Sequence, residues 1–530
     1  MVKFVIDPAI AVKINKMKQR VRWQEAALVD RGIDQARLVL EDGKPDTPEF
    51  SFMVIGDSGS GVHRGHNPQR QIAEQMLPHQ SESRFTLHTG DVVYLLGSSE
   101  YYPSNFIEPY RECLLGGDRP HAISYDQMVF THPMLLVPGN HDYYDLSWLY
   151  GILAQATAPL RRLLQFQLDL DVGLHGSFQG KAYAQAFLDY LLALQGDALH
   201  QHLDRHYTAK TETGRCLRYE PGHFTRLPNR YYTFRYGGID FFALDSNTFN
   251  SPIPLPHTRE GDNYRRQLEA LRQDLEQEEQ QILAASAQLH EENWEEAEQL
   301  DDLSAKLAQI EEVKIDINKQ LSARENNDVT DQDQLDWLQK QLIASWHNPA
   351  VRGRVIYFHH PPYVTEATKW KQAQTLAVRR RLRSVLDVVA QEVGTLAHDR
   401  PLVDLILNGH AHCLEHLQTT DTGHADAYLD WVICGGSGHS LRRQRLEGAE
   451  LMEAFANENR GYRRLVAKSH LYVGRHGQGA KKRRPYSFLR IDVQDGVPPK
   501  FVLRPFICDR VHGEWVNSHL EPFMIGGERE

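Results

Sequence analysis

Five short runs of β-forming residues constrain this 530-residue chain more than anything else in it, because each stops abruptly at glycine or proline beside a metal-capable side chain. FSFMVIGD ends at Asp57, RFTLHTGD at Asp91, and MLLVPGNHD at Asn140 to Asp142. RVIYFHHPP carries His359 and His360, and LVDLILNGHAH carries His410 and His412. Continuous apolar runs of this length suit strands buried on both faces. Helical patterns follow the first two, PQRQIAEQM at 68–76 and FIEPYRECLL beyond Tyr94. Strands alternating with helices predict a layered α/β fold, whose sites form at the carboxyl ends of strands. Those ends are where the Asp, Asn and His residues stand.

Two segments interrupt the rhythm. Residues 146–228 read as a helical insertion, with QAFLDYLLAL its clearest stretch, and could supply a lid. Residues 262–333 carry almost no Gly or Pro, and their apolar residues fall in heptads. Leu268, Leu271, Leu275, Ile282, Ala285 and Leu289 mark one run; Leu300, Leu303, Leu307, Ile310, Ile317 and Leu321 mark another. A single helix of that length would carry the chain roughly 100 Å away. The chain must return to supply the His359 strand, so the pattern predicts an antiparallel coiled-coil hairpin turning near Glu291 to Glu298. Residues 1–45 read as an N-terminal helical extension, and 46–515 as the main domain.

The hairpin also explains the charge. The chain has 59 Lys+Arg and 70 Asp+Glu, a formal net charge of −11. Residues 262–333 contain 20 Asp+Glu and 7 Lys+Arg, so the remainder sums to +2. Basic residues cluster in VRRRLR (378–383), LRRQR (441–445) and KKRR (481–484), as solvated faces or as the flank of a site for an anion. Nothing predicts a nucleic-acid partner. No stretch approaches the ~18 to 20 apolar residues of a membrane span. The five cysteines are scattered, no Asn-x-Ser/Thr acceptor occurs, and the amino terminus does not read as a signal peptide, so a cytoplasmic location is expected.

Asp57, Asp91, Asn140, His359, His410 and His412 are oxygen and imidazole ligands with no thiolate, a mix that suits Zn, Mn, Fe or Ni. They exceed what one tetrahedral ion needs; two ions about 3.5 to 4 Å apart would use them all if one carboxylate bridged, and such a pair hydrolyses phosphate esters. GDSG at 56–59, GDVVY at 90–94, GNHD at 139–142, HHPP at 359–362 and GHAH at 409–412 resemble, in that order, the signature of the calcineurin-like metallophosphoesterases. Gly59 replaces the histidine of most branches, and Tyr94 stands three residues after Asp91, which resembles the purple acid phosphatase branch. That likeness implies a β-sandwich flanked by helices and a two-metal centre. Asp57, Asp91, Tyr94 and His412 would hold Fe(III), whose acidity a phenol ligand requires. Asp91, Asn140, His359 and His410 would hold Fe, Zn or Mn, with Asp91 bridging. His141 would contact the phosphate or donate a proton, and a hydroxide held by the ions would attack a phosphomonoester.

The likeness extends to NRYYTFRYGGIDFFALDSNTF (229–249), DQLDWLQKQL (333–342), WVICGGSGHS and YSFLRIDV, which places the acidic hairpin between two otherwise adjacent elements. It departs in VTEATKW, where Lys369 is the one basic group in place of expected histidines, and in GHAHCLEH, where Cys413 and His416 read as packing residues, as His360 does. Two alternatives stay open: a phosphodiesterase acting on a nucleotide or lipid head group, and a scaffold with a vestigial metal site. The heptads could also present an apolar stripe to a second copy or a protein partner.

Overall fold

In the strand Gly353–Phe358, successive side chains enter opposite hydrophobic layers: Val355 and Tyr357 join one buried cluster, Ile356 and Phe358 the other. A continuous apolar run becomes possible once both faces of a sheet are covered. The computed structural model describes residues 5–60, 63, 66–146, 176–290, 294–324, 329–397, 400–457, 460–478, 481–511 and 513–526.

In chain order the described elements begin with β1 (Val5–Ile6), α1 (Ile10–Arg20), α2 (Ala26–Val29), β2 (Ile33–Leu40), β3 (Phe50–Ile55), α3 (Pro68–Met76), β4 (Ser83–His88), β5 (Met134–Leu136) and β6 (Asp145–Leu146). They continue with α4 (Lys181–Phe187), α5 (Gly196–His206), β7 (Ala209–Thr211), β8 (Gly214–Tyr219), β9 (Tyr232–Tyr236), β10 (Ile239–Ala243), α6 (Arg259–Ser286), α7 (Trp294–Ser322) and α8 (Gln332–His347). Then come β11 (Gly353–Phe358), α9 (Ala373–Val393), β12 (Leu405–Asn408), β13 (Leu414–Thr419), β14 (Asp430–Cys434), β15 (Glu450–Asn457) and β16 (Arg460–Val473). The last are β17 (Pro485–Gln494), β18 (Lys500–Val511), β19 (Glu514–His519) and β20 (Phe523–Gly526).

Two large sheets result. An eleven-stranded sheet runs β15-β16-β13-β14-β12-β11-β10-β9-β2-β8-β7, and a second runs β19-β18-β17-β3-β4-β5, with β20 on β18. Both have parallel centres: β10, β11, β12 and β14 in one, β3, β4 and β5 in the other. Between them lies an aromatic layer in which Phe52 and Phe85 meet Phe241 edge-on at 5.5 and 5.4 Å. Helices α8 and α9 cover the outer face of the first sheet, and α3 lies against β17 and β18 of the second. The protein is thus a mixed α/β structure of two packed sheets with helices outside. The β9–β10 hairpin turns at Gly237 and Gly238, with φ of 56° and 72°, the left-handed pair that a two-residue hairpin turn favours.

Several boundaries differ from expectation. The first 45 residues contain α1 and α2, but also β2, which joins the large sheet; its polar Asp34, Gln35 and Arg37 hide a strand whose core contact is made by Leu38 and Leu40. Of the helical insertion expected at 146–228, residues 147–175 lie outside the described ones. The rest holds α4 and α5 and the strands β7 and β8. QAFLDYLLAL is helical only to Phe187, because Leu188 leaves the helix to bridge Leu227 and Asp189 N–H donates to the Leu227 carbonyl. FIEPYRECLL forms short irregular turns rather than a regular helix, as Pro109 inside it would dictate.

Where the hairpin is expected stand the two long helices α6 and α7. Their cross-pairs run antiparallel: Arg272 to Asn318 at 3.2 Å and Glu279 to Lys314 at 2.9 Å. The turn falls between Ser286 and Trp294, earlier than expected; residues 291–293 lie outside the described ones. Leu268, Ile282, Leu300, Ile310 and Ile317 are buried, but Leu271 is 44% exposed and Ala285 also faces outward, so the heptad seam is incompletely closed. Among the described residues, no helix is long and apolar enough to cross a membrane.

Candidate metal centre

The parallel strands deliver their carboxyl ends to one rim. Asp57 follows β3, Asp91 follows β4, Asn140 and His141 follow β5, His359 follows β11, and His410 and His412 follow β12. Asp57, Asp91 and His410 hold left-handed backbones, with φ of 52°, 56° and 67°, which turn their side chains inward. Glycines beside them leave the room this needs. A Cβ on Gly139 would stand 2.1 Å from Asp91 Oδ1, and one on Gly409 2.6 Å from Asp57 Oδ2.

Two clusters form around these ends. In one, the Tyr94 hydroxyl lies 3.0 Å from Asp57 Oδ1, 2.8 Å from Asp91 Oδ2 and 3.3 Å from His412 Nε2. In the other, His359 Nε2 lies 2.9 Å from Asn140 Oδ1, 3.2 Å from Asp91 Oδ2 and 3.2 Å from His410 Nδ1. Asp91 belongs to both. All seven residues are buried. His141 is partly buried; its ring lies 4.2 Å from that of Tyr94, and its Nδ1 donates to the Leu95 carbonyl at 2.7 Å. The seven expected ligands and His141 are therefore brought together.

Backbone bonds orient these groups. His359 Nδ1–H donates to the Thr89 carbonyl at 2.9 Å, and Asp57 Oδ2 accepts from His410 N–H at 2.8 Å. Asp142, just beyond His141, accepts from the N–H groups of Asp91, Val92 and Gly139 and so ties the β4 and β5 loops together. His360 turns away: its Nδ1 pairs with the Ser246 hydroxyl at 2.8 Å. His416 likewise pairs with Asp430 at 2.9 Å, and Cys413 lies in the core. Gly59 has no room for a side chain, since a Cβ there would stand 1.8 Å from the Val92 carbonyl oxygen.

The donor set fits cations. With its Nδ1 proton committed to Thr89, His359 turns Nε2 toward the Asn140 and Asp91 oxygens, where it donates to Asp91 while protonated and offers a lone pair to a cation once that proton leaves. Tyr94 has one proton for three acceptors. Lone pairs that converge in a buried space with too few protons to share make a cation site. The titration behaviour expresses the same conflict. Burial, with the like charge of Asp91 added, pushes Asp57 up to about 8. Burial acts upward on Asp91 too, but His359 and His141 outweigh it and hold that carboxylate far below its ordinary range. Burial lowers His359, yet Asp91 reverses the balance and raises it to about 9. Tyr94 is driven well above 10 by burial and by Asp57 and Asp91. Burial and neighbouring cationic groups hold His410 and His412 well below 6.5.

Sequence reasoning missed two contributors. His439, after β14, packs its ring 4.1 Å from Tyr94 and 4.5 Å from His412. Its signal was available, because an apolar run stopping at GGSGH repeats the pattern of the other strand ends. Glu312 of α7 was hidden in the hairpin: its carboxylate pairs with Lys369 and lies 3.5 Å from His410 Nε2.

No protein-family model matches the chain, nor does any curated protein. Solved structures do. GAP50, the anchor in the inner membrane complex of Plasmodium, aligns with a TM-score of 0.37 at 10% identity over 91% of this chain and 90% of that one. A purple acid phosphatase isolated from yellow lupin (Lupinus luteus) seeds aligns with a TM-score of 0.40 at 12% identity, over 91% of this chain and 54% of that one. PhoD aligns with a TM-score of 0.37 at 10% identity, over 91% and 70%. Scores at this level leave the chemistry to the residues themselves.

Proposed function

We propose that the chain is a metal-dependent phosphohydrolase with a two-ion centre, acting on phosphomonoesters. The observation that carries this reading is the pair of lone-pair clusters sharing Asp91. Asp57, Asp91, Tyr94 and His412 would hold the first ion, Fe(III); Asp91, Asn140, His359 and His410 would hold the second, Fe, Zn or Mn. When bound, such a pair supplies Lewis-acid stabilisation of a phosphoryl group and an acidified water near neutral pH. The protein's own groups do the rest. His359 is fixed by its bond to Thr89, so its Nε2 cannot rotate away. His141, anchored through Nδ1, keeps Nε2 for proton transfer to the leaving oxygen.

Metal analysis of the full chain with a visible spectrum tests this. Two ions per chain and a tyrosinate-to-iron band, absent in Tyr94→Phe, are expected. Asp91→Ala should lose both ions and Asn140→Ala one. Fully metallated, oxidised protein without the band would remove Fe(III) from the Tyr94 site. Faster turnover of the diester than of the monoester of one chromogenic phenol would move the reading to a phosphodiesterase.

A further inference from the structure

The acidic hairpin does not project into solvent but lies across the metal centre. Helix α7 is pinned to the body along its length. Glu298 lies 3.7 Å from Arg484, and Asp302 bonds Arg475 at 2.9 Å and Arg484 at 2.8 Å, and also Lys482. Arg442 donates to the Ala305 carbonyl at 2.9 Å. Asp316 accepts from the N–H groups of Ala373 and Gln374, the first two residues of α9. Midway along, Glu312 bonds Lys369, whose Nζ lies 3.1 Å from His410 Nε2. Glu312 is 7% exposed and Lys369 1%.

Arg442 of LRRQR and Lys482 and Arg484 of KKRR therefore meet α7 instead of open solvent. In the third, VRRRLR, Arg379 and Arg383 are spent on Glu453 and Asp426 and Arg381 on backbone carbonyls, while Arg380 is exposed. A carboxylate beside a buried lysine, next to an expected metal ligand, stands where the anionic end of a phosphate ester would dock. Every expected ligand is buried, and on the His410 side the cover includes Glu312 of α7.

We propose that α7 is a resident lid over the centre, that Lys369 is the cation receiving the substrate phosphate, and that Glu312 occupies its place until substrate displaces it. This rests on the phosphohydrolase reading above. A phosphate that competes with Glu312 binds only the open form, so its apparent affinity is reduced by the fraction open. By linkage, phosphate must in turn favour the open form.

The test uses the full metal-loaded chain, inorganic phosphate as the probe, calorimetry for binding and amide hydrogen exchange for α7. Glu312→Gln keeps the shape and removes the charge, and should bind phosphate on the order of tenfold more tightly. Lys369→Met should bind it on the order of tenfold more weakly. Asp302→Asn, remote from the centre, should also tighten binding by loosening the pins. In the wild type, phosphate should speed exchange across residues 294–322. If phosphate binds all four proteins equally and leaves that exchange unchanged or slower, α7 is a fixed wall and the lid is overturned, with the phosphohydrolase reading intact. If fully metallated wild type and variants alike bind no phosphate, the phosphohydrolase reading itself falls, and the lid with it.

Discussion

At the residue scale the centre depends on side chains that are denied alternatives. Left-handed backbones at Asp57, Asp91 and His410 cost about 1 kcal/mol each, and the surrounding loops must supply that. They do so through bonds such as the three that Asp142 accepts. Tyr94 is similarly committed, since its own N–H donates to the Gly59 carbonyl at 2.8 Å. Gly59 thus helps to hold the phenol in place.

A second buried acid nearby has a measurable consequence. Burial raises Glu415 to about 7, against 4.5 for the free side chain, although Thr365 donates to it. The folded chain therefore binds a proton there that the unfolded chain has released between about 4.5 and 7. This stabilisation is complete below that window and is lost as pH rises through it, on the order of 3 kcal/mol in all. Glu415→Gln, which cannot ionise, should abolish this component. The difference in unfolding free energy between metal-loaded variant and wild type should thus shift in the variant's favour from pH 5 to pH 8, as read from urea titrations.

At the scale of elements, α9 depends on another helix for its start. Its own cap residue, Gln372, makes no side-chain capping bond, and Asp316 of α7 accepts from its first two N–H groups instead. Asp316→Ala would leave those buried donors without partners and should cost about 2 kcal/mol in denaturant unfolding, while Asp316→Asn should retain part of that. Such pairings mark the limit of what the sequence discloses. Strands covered on both faces write their burial into consecutive residues, so the runs ending at Asp57, Asp91, Asn140, His359 and His410 were legible, and with them the cluster they form. Strand β2 was not, because Asp34, Gln35 and Arg37 find their partners elsewhere in the fold. Glu312 and Lys369 are 57 residues apart, and no local period connects them. The heptads announced two helices but not which face would turn to the body. In α7 that face is largely polar, with Asp301, Glu312, Asp316 and Gln320 all buried.

For the molecule as a whole, the aromatic layer joins the two halves of the centre: β3, β4 and β5 contribute Asp57, Asp91 and Asn140 from one sheet, and β11 and β12 contribute the histidines from the other. Phe241 sits in that layer, fully buried and 4.7 Å from Phe234. Phe241→Ala should cost about 3 to 5 kcal/mol by the cavity it leaves, measured by thermal or urea unfolding. Because the sheets then register less tightly, metal affinity should fall with it, although no ligand has been touched.

The place of α7 in the chain has a temporal meaning. Asp57, Asp91, Tyr94 and Asn140 precede it, and His359, His410 and His412 follow it. A ribosome making this protein adds α7 before the last three of these residues exist. During biosynthesis, then, there is no stage at which all seven expected ligand residues are present and α7 is still unmade.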